Sequence, residues 1–202
     1  MNDAAHTATR DPDLTRARIL EAAFDLFVES GYADVSMRQI AARSGVTKSL
    51  IHHHFGTKEA LWEAVKHQAF EAYAQSQIQT LEKDRDSQTL LSDAIINYFN
   101  FLKEHPEVVR LFAWTHLEGD VSCGELDRRL VETGAARIRE AQEAGRLRAD
   151  VNPTHVVTIF VNVCTQWFEA KTHHQDWPGM GSDEEFLDDF IKTFMEGLQP
   201  RK

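Results

Sequence analysis

Start and stop signals for helices mark this chain along its length, and they constrain its fold more than any other feature. Asp11-Pro12 sets a capping residue before a proline at the first helical position. Ile19, Ala22, Ala23, Leu26 and Phe27 then share one face as far as Gly31. Ser36-Met37-Arg38-Gln39 is a capping box, and its helix ends before Gly45. Thr47 caps a short helix to His53, and Thr57 caps a long one to Glu82. Further helices are expected over 89–104, 106–117 and 124–144. Asn152-Pro153 opens a strongly apolar helix to Thr172, and residues 173–181 read as a loop. Ser182-Asp183-Glu184-Glu185 is a second capping box, and it starts a last helix to Leu198. No run of alternating Val, Ile and Thr suggests a strand. The expectation is an all-α chain of about nine helices, three in an N-terminal head and six in a C-terminal body. The boundary falls inside the long fourth helix. Residues 1–62 form one domain, with the first ten expected to be disordered, and residues 63–202 form the other.

Net charge bears on what such a head can touch. The chain carries −10 overall. Residues 14–58, however, hold six basic side chains (Arg16, Arg18, Arg38, Arg43, Lys48, Lys58) and four acidic ones, a net of +2. Residues 67–202 hold 14 basic and 23 acidic side chains, a net of −9. An acidic body is compatible with a head that meets phosphate, because screening confines the attraction to about 8–10 Å. It argues against a nonspecific nucleic-acid coat over the whole chain. The polar N-terminus has no signal-peptide pattern, and no stretch approaches the roughly 20 apolar residues of a membrane span. Cys123 and Cys164 lack metal or disulfide spacing. A soluble, cytoplasmic protein is expected.

The segment Met37–Gly56, MRQIAARSGVTKSLIHHHFG, has the steric pattern of a helix-turn-helix. Two helices that cross closely need a small residue at the crossing, which Ala41 supplies. The turn needs a backbone that accepts positive φ, which Gly45 supplies. Ile40, Val46 and Ile51 form the inner face. Thr47, Lys48, Ser49, His52 and His53 form a face of hydrogen-bonding groups suited to a major groove. Lys48 is the candidate for a guanine edge, with hydroxyl or methyl contacts from Thr47, Ser49 and Leu50. Ser36, Arg38, His52, His53 and Lys58 are candidates for phosphate, helped by the helix start at Thr57-Lys58. Arg43 reads as ordinary surface and His54 as a packed residue near Phe55. Three consecutive histidines cannot all face one metal ion on a helix, since neighbours lie about 100° apart.

The spacing of Ile19, Ala22-Ala23, Phe27, Gly31-Tyr32, Ser36, Ile40-Ala41, Ser44-Gly45-Val46, Phe55 and Lys58-Glu59-Ala60-Leu61 resembles the TetR family of bacterial regulators. The resemblance covers about residues 15–62 and continues beyond only in length and helical layout. It implies an all-helical homodimer that binds a double-stranded DNA operator, usually as a repressor, and releases it on binding a small-molecule effector. One departure is that His52 and His53 stand where the family often has a tyrosine pair.

In the body, aromatic residues are first of all core. Tyr98, Phe99, Phe112, Trp114, Phe160 and Trp167 are the candidates for lining a cavity between helices that holds an apolar or amphipathic effector. Val156, Phe160 and Val163 on one helix, with Phe186, Phe190, Ile191, Phe194 and Leu198 on the next, are the candidates for a dimer interface. His116, His155, His173 and His174 read as satisfied or exposed histidines. No nucleophile elbow, phosphate loop, HExxH or buried carboxylate pair points to an enzyme, a metal or a cofactor. A helical adaptor for a protein partner is the other alternative, and the polar recognition helix argues against it.

Overall fold

A computed structural model describes residues 11–82, 86–120 and 124–200. Among these, ten α-helices and no strands are present. They are α1 (Pro12–Asp34), α2 (Met37–Ser44), α3 (Lys48–Phe55), α4 (Lys58–Leu81) and α5 (Ser87–Glu104). There follow α6 (Pro106–Leu117), α7 (Glu125–Glu143), α8 (Pro153–Glu169), the single-turn α9 (Lys171–His174) and α10 (Asp183–Gly197). The helix beyond the nine expected is α9, in the stretch where the sequence suggests the end of one helix and a loop. Ala170 ends α8 with φ −98° and ψ 2°, and its carbonyl accepts from His173 and His174, which winds one further turn. Residues 1–10, expected to be disordered, and Cys123 lie outside the described residues. No described helix is long and apolar enough to cross a membrane.

Each expected cap is formed. The side chains of Asp11, Ser36, Thr47, Thr57, Asn152 and Ser182 accept from backbone N–H groups in the first turns of their helices. Ser36 and Ser182 belong to complete capping boxes with Gln39 and Glu185. Gly31 interrupts α1 with φ 77° and ψ 176°, so the chain kinks where the sequence placed its stop.

The chain divides into two compact units, 1–66 and 67–202, inside α4. The division comes four residues after the expected one; Lys66 Nζ lies 5.5 Å over the Trp62 ring, which is itself edge-on to Phe27 at 4.9 Å. Ile19, Ala23, Phe27, Ile40, Ile51 and Leu61 are completely buried in that unit. In the body, apolar residues of α5, α7 and α8 make one core that includes Ile95, Phe99, Leu102, Ile138, Ala141, Val156, Phe160 and Cys164. Gly134 lets α7 approach α8, since a Cβ there would lie 3.2 Å from Val157 Cγ2. Burial pushes the Cys164 thiol up to about 12, which leaves it an inert packing group.

Candidate nucleic-acid interface

The site is built from the turn between α2 and α3. Gly45 adopts φ 67° and ψ 28°, and its N–H together with that of Val46 donates to the Ala41 carbonyl. The end of α2 is also tied to α1, because Arg18 Nη2 donates to the Ser44 carbonyl at 2.6 Å. A Cβ on Gly45 would lie 2.9 Å from that guanidinium and push on the Arg18 tie, but it is the left-handed backbone that favours glycine here. Ser44 is buried, and its hydroxyl donates to the Ile40 carbonyl at 2.7 Å. Ile40 and Ile51 meet the inner-face expectation fully, while Val46 and Ala41 are half-buried.

With those residues turned inward, the other side of α3 is left to solvent. Thr47, Lys48, Ser49, His52 and His53 are exposed, and Leu50 is half-buried. Ser36 and Arg38 are exposed at the start of α2. Ser36 is also engaged, since its hydroxyl donates to Gln39 Oε1 at 2.6 Å and accepts from the Gln39 N–H. His52 Nδ1 donates to the Gly56 carbonyl at 2.6 Å, which fixes the ring and assigns the proton to Nδ1. His54 is half-buried near Phe55, with ring centroids 6.3 Å apart. Residues 35–57 contain Arg38, Arg43 and Lys48 and no acid, so no carboxylate within this stretch repels a polyanion.

Three basic residues do work that their positions in sequence did not disclose. Arg18 locks α2 to α1, as described above. Arg16 stacks its guanidinium over Phe55 at 5.1 Å. Lys58 is half-buried, with Nζ 4.1 Å from the centre of the Tyr32 ring and donating to the Ala33 carbonyl at 3.3 Å. Beside it, the Tyr32 hydroxyl donates to Glu59 Oε1 at 2.7 Å and holds that carboxyl below its ordinary range. Lys58 therefore joins the start of α4 to the end of α1. Only a contact 25 residues apart reveals this, and no local pattern carries it. Arg43, read as surface, faces Glu29 at 3.1 Å and Asp25 at 3.6 Å.

The body scatters the residues nominated for a cavity. Tyr98, Phe99, Phe160 and Trp167 are buried in the core, while Phe112 and Trp114 are half-buried. The Tyr98 hydroxyl shares a 2.9 Å hydrogen bond with Thr165, and burial pushes its pKa well up. A cleft of about 560 Å³ lies instead between α6, α8, α9 and α10. Trp167 lines it, but none of the other five does; His116, Asn162, Gln166, Glu169 and Phe186 are among the lining residues.

The interface candidates also divide. Val156, Phe160 and Leu198 are buried within their own body, because they occupy the inward faces of α8 and the end of α10. Val163, Phe186, Phe190, Ile191 and Phe194 are half-buried. No residue of α10 is fully buried, although Phe186, Leu187, Phe190, Ile191, Phe194 and Met195 all lie along it. The outward side of α8 adds Ile159, 49 % exposed, which the sequence reading did not single out.

Comparison with known proteins adds to this geometry. Residues 19–65 match the family described as bacterial regulatory proteins, tetR family. Residues 91–187 match the tetracyclin repressor-like C-terminal domain. The HTH-type transcriptional repressor SCO4008 of Streptomyces coelicolor is 33% identical over 163 residues, covering 79% of this chain and 81% of that protein. The HTH-type transcriptional regulator RutR of Escherichia coli is 26% identical over 200 residues, covering 91% and 90%. The crystal structure of a TetR family transcription regulator from Marinobacter aquaeolei superposes with a TM-score of 0.74 at 16% identity. That match covers 94% of this chain and 97% of the other, and it shows the same fold.

Proposed function

The chain belongs to the TetR family of bacterial regulatory proteins, and we propose that it is a homodimer that binds a two-fold symmetric operator and leaves it when a small molecule occupies the body. Members of the family are DNA-binding transcription regulators rather than enzymes, and this chain is a transcription regulator of the same kind. The observation that carries the finer reading is the exposed, acid-free face of α3, mounted on buried Ile40 and Ile51 and a glycine turn. Such a face enters a major groove with its first residues at the base edges. Lys48 reads a guanine, with Thr47, Ser49 and Leu50 beside it. Ser36, Arg38, His52, His53 and Lys58 hold phosphates and set the register.

Dimerisation is proposed through the outward faces of α8 and α10, around Ile159, Val163, Phe190, Ile191 and Phe194. The half-buried apolar row along α10 supports this, because its side chains pack on the body's core yet leave part of their apolar surface in water, which a partner would cover. Repression relieved by an effector is the proposed sense of regulation, as the name of the SCO4008 repressor suggests. Coupling requires that the effector bind the operator-bound and released states with different affinity, and DNA must then weaken the effector by the same factor. Helix α4, shared by head and body, is the proposed route.

The test is a mobility shift with footprinting on promoter fragments at low salt. Protection of two half-sites about 34–36 Å apart, or one turn of DNA, is expected. Absence of a shift on every fragment would overturn the reading.

A further inference from the structure

Glu169 is the last residue of α8, and its side chain is 21% exposed where it lines the cleft between α6, α8, α9 and α10. Its Oε1, however, is buried. Among the described residues it is the buried side-chain oxygen or nitrogen left without a hydrogen-bond partner. The His116 imidazole faces it, with Nδ1 3.8 Å away, beyond hydrogen-bond distance. Burial raises the pKa of this carboxyl, and His116 pulls the other way. An acceptor buried without a donor is costly, and folded proteins keep few of them without a use.

The rest of the cleft narrows the chemistry. Trp167 and Phe186 stack at 3.8 Å with only 10° between their planes, and both line the space. Trp167 Nε1 already donates to Asp183 Oδ1 at 3.0 Å, so this aromatic wall is fixed in orientation. Asn162 and Gln166 bring amides, and His174 faces in from α9. The cleft's volume, about 560 Å³, falls within the roughly 300–1,000 Å³ of small-molecule sites.

We propose that this cleft is the effector site and that it selects a small aromatic cation. Its ammonium or amidinium group pairs with the partly exposed Glu169 carboxylate, whose rotation about its side chain brings Oε1 into the cleft, and its ring lies against the Trp167–Phe186 wall. An anionic effector would meet the Glu169 carboxylate as a like charge, and a neutral hydrocarbon would leave Oε1 unsatisfied. The assignment rests on the reading of the chain as an effector-responsive regulator. It also offers a coupling route, because Val163 and Phe186 belong both to this cleft and to the helices proposed for the dimer face.

The experiment uses full-length protein and three pairs of probes: tryptamine against indole-3-acetate, phenethylamine against phenylacetate, and benzamidine against benzoate. Calorimetry measures affinity, and the indole N–H resonance of Trp167 reports occupancy of the cleft. At least one cation is expected to bind saturably, to shift the Trp167 resonance and to exceed its carboxylate partner by about ten-fold or more. Glu169→Gln keeps the size and removes the charge, so it should erase most of that preference while the melting temperature stays unchanged. The same cation should release the operator from the wild-type protein. The proposal is overturned if no cation binds at millimolar concentration, if carboxylates bind equally well, or if Glu169→Gln keeps the preference. Operator binding without any probe separates the two readings. If it persists while the cations fail, only the effector class is lost; if it is absent, the regulatory reading itself falls.

Discussion

Head and body place their functional surfaces by opposite means. In the head, exposed polar residues are set mainly by short-range devices: the Ser36 and Thr47 caps and the left-handed Gly45. Each device fixes backbone, and the backbone aims Lys48, Ser49, His52 and His53 outward. In the body, the surfaces of interest are what packing leaves uncovered. The α10 row packs on the core yet stays half-buried, Ile159 stays exposed, and the cleft beside Glu169 is left between four helices. A surface made by positive placement has a local sequence signature. One made by omission depends on how every neighbouring helix packs.

The largest effect should come from breaking the body's proposed surface while leaving its core alone. Ile159 is half in water, so Ile159→Arg adds a charge to the outward side of α8 without touching the buried set. We expect a monomer of unchanged helical content, seen by analytical ultracentrifugation and circular dichroism. Loss of the second head should reduce operator affinity by about 10²–10⁴-fold. A stable dimer in this variant would move the interface away from α8.

That contrast explains what the sequence disclosed. The caps, the glycine turn and the identity of the recognition helix were legible, because capping and positive φ are local and each uses few residue types. The resemblance to TetR regulators rested on the same stretch. The body's helices were legible too, apart from the single-turn α9. Its site was not. Tyr98, Phe99 and Phe160 have the composition expected of a pocket lining, yet they pack inward; Glu169 gave no signal because its isolation follows from distances to α6 and α9. Val156, Phe160 and Leu198 share the apolar character of the residues now proposed for the interface, and periodicity alone cannot say which side of a broadly apolar helix faces its own core.

In the head, Lys48→Ala should weaken specific operator binding by about 1–3 kcal/mol and relax preference at one base position. Selection from randomised operators would read both. An unchanged preference would make Lys48 a phosphate contact only and would transfer base reading to Thr47, Ser49 and Leu50.

Lys58→Ala sharpens the distinction between a placed residue and a placing one. Its cation–π contact with Tyr32 predicts a loss of about 0.5–1 kcal/mol in head stability, measured by urea denaturation. If Lys58 also meets phosphate, the variant should bind all sequences more weakly, and its salt slope should be shallower by about one unit. A stability loss with an unchanged slope would leave Lys58 as a structural tie between α1 and α4.

The smallest effect is expected in acid, where both regions hold a carboxylate at the start of a helix. In the head, the Tyr32 hydroxyl lowers the pKa of Glu59. In the body, the hydrogen bond from Lys103 holds Glu184 down to about 2. Asp183 next to it is pushed up by burial, but hydrogen bonds from Lys171 and Trp167 outweigh that and leave it lowered. A carboxyl whose folded pKa lies below its unfolded value stabilises the fold above the unfolded pKa, near 4.3 for a glutamate, at about pH 4–5. That contribution fades as pH falls through the folded value, which for Glu184 means a window from about pH 4.5 down to about 2. Glu184 and Lys103 are exposed, so solvent screening keeps the effect small. Lys103→Met should therefore lower the melting temperature slightly near neutral pH and show a smaller further drop across that acid window than the wild type. Parallel declines in the two proteins would mean that the Lys103 pair adds nothing to the anchoring of α10, and that Trp167 and Lys171 alone hold its first turn through Asp183.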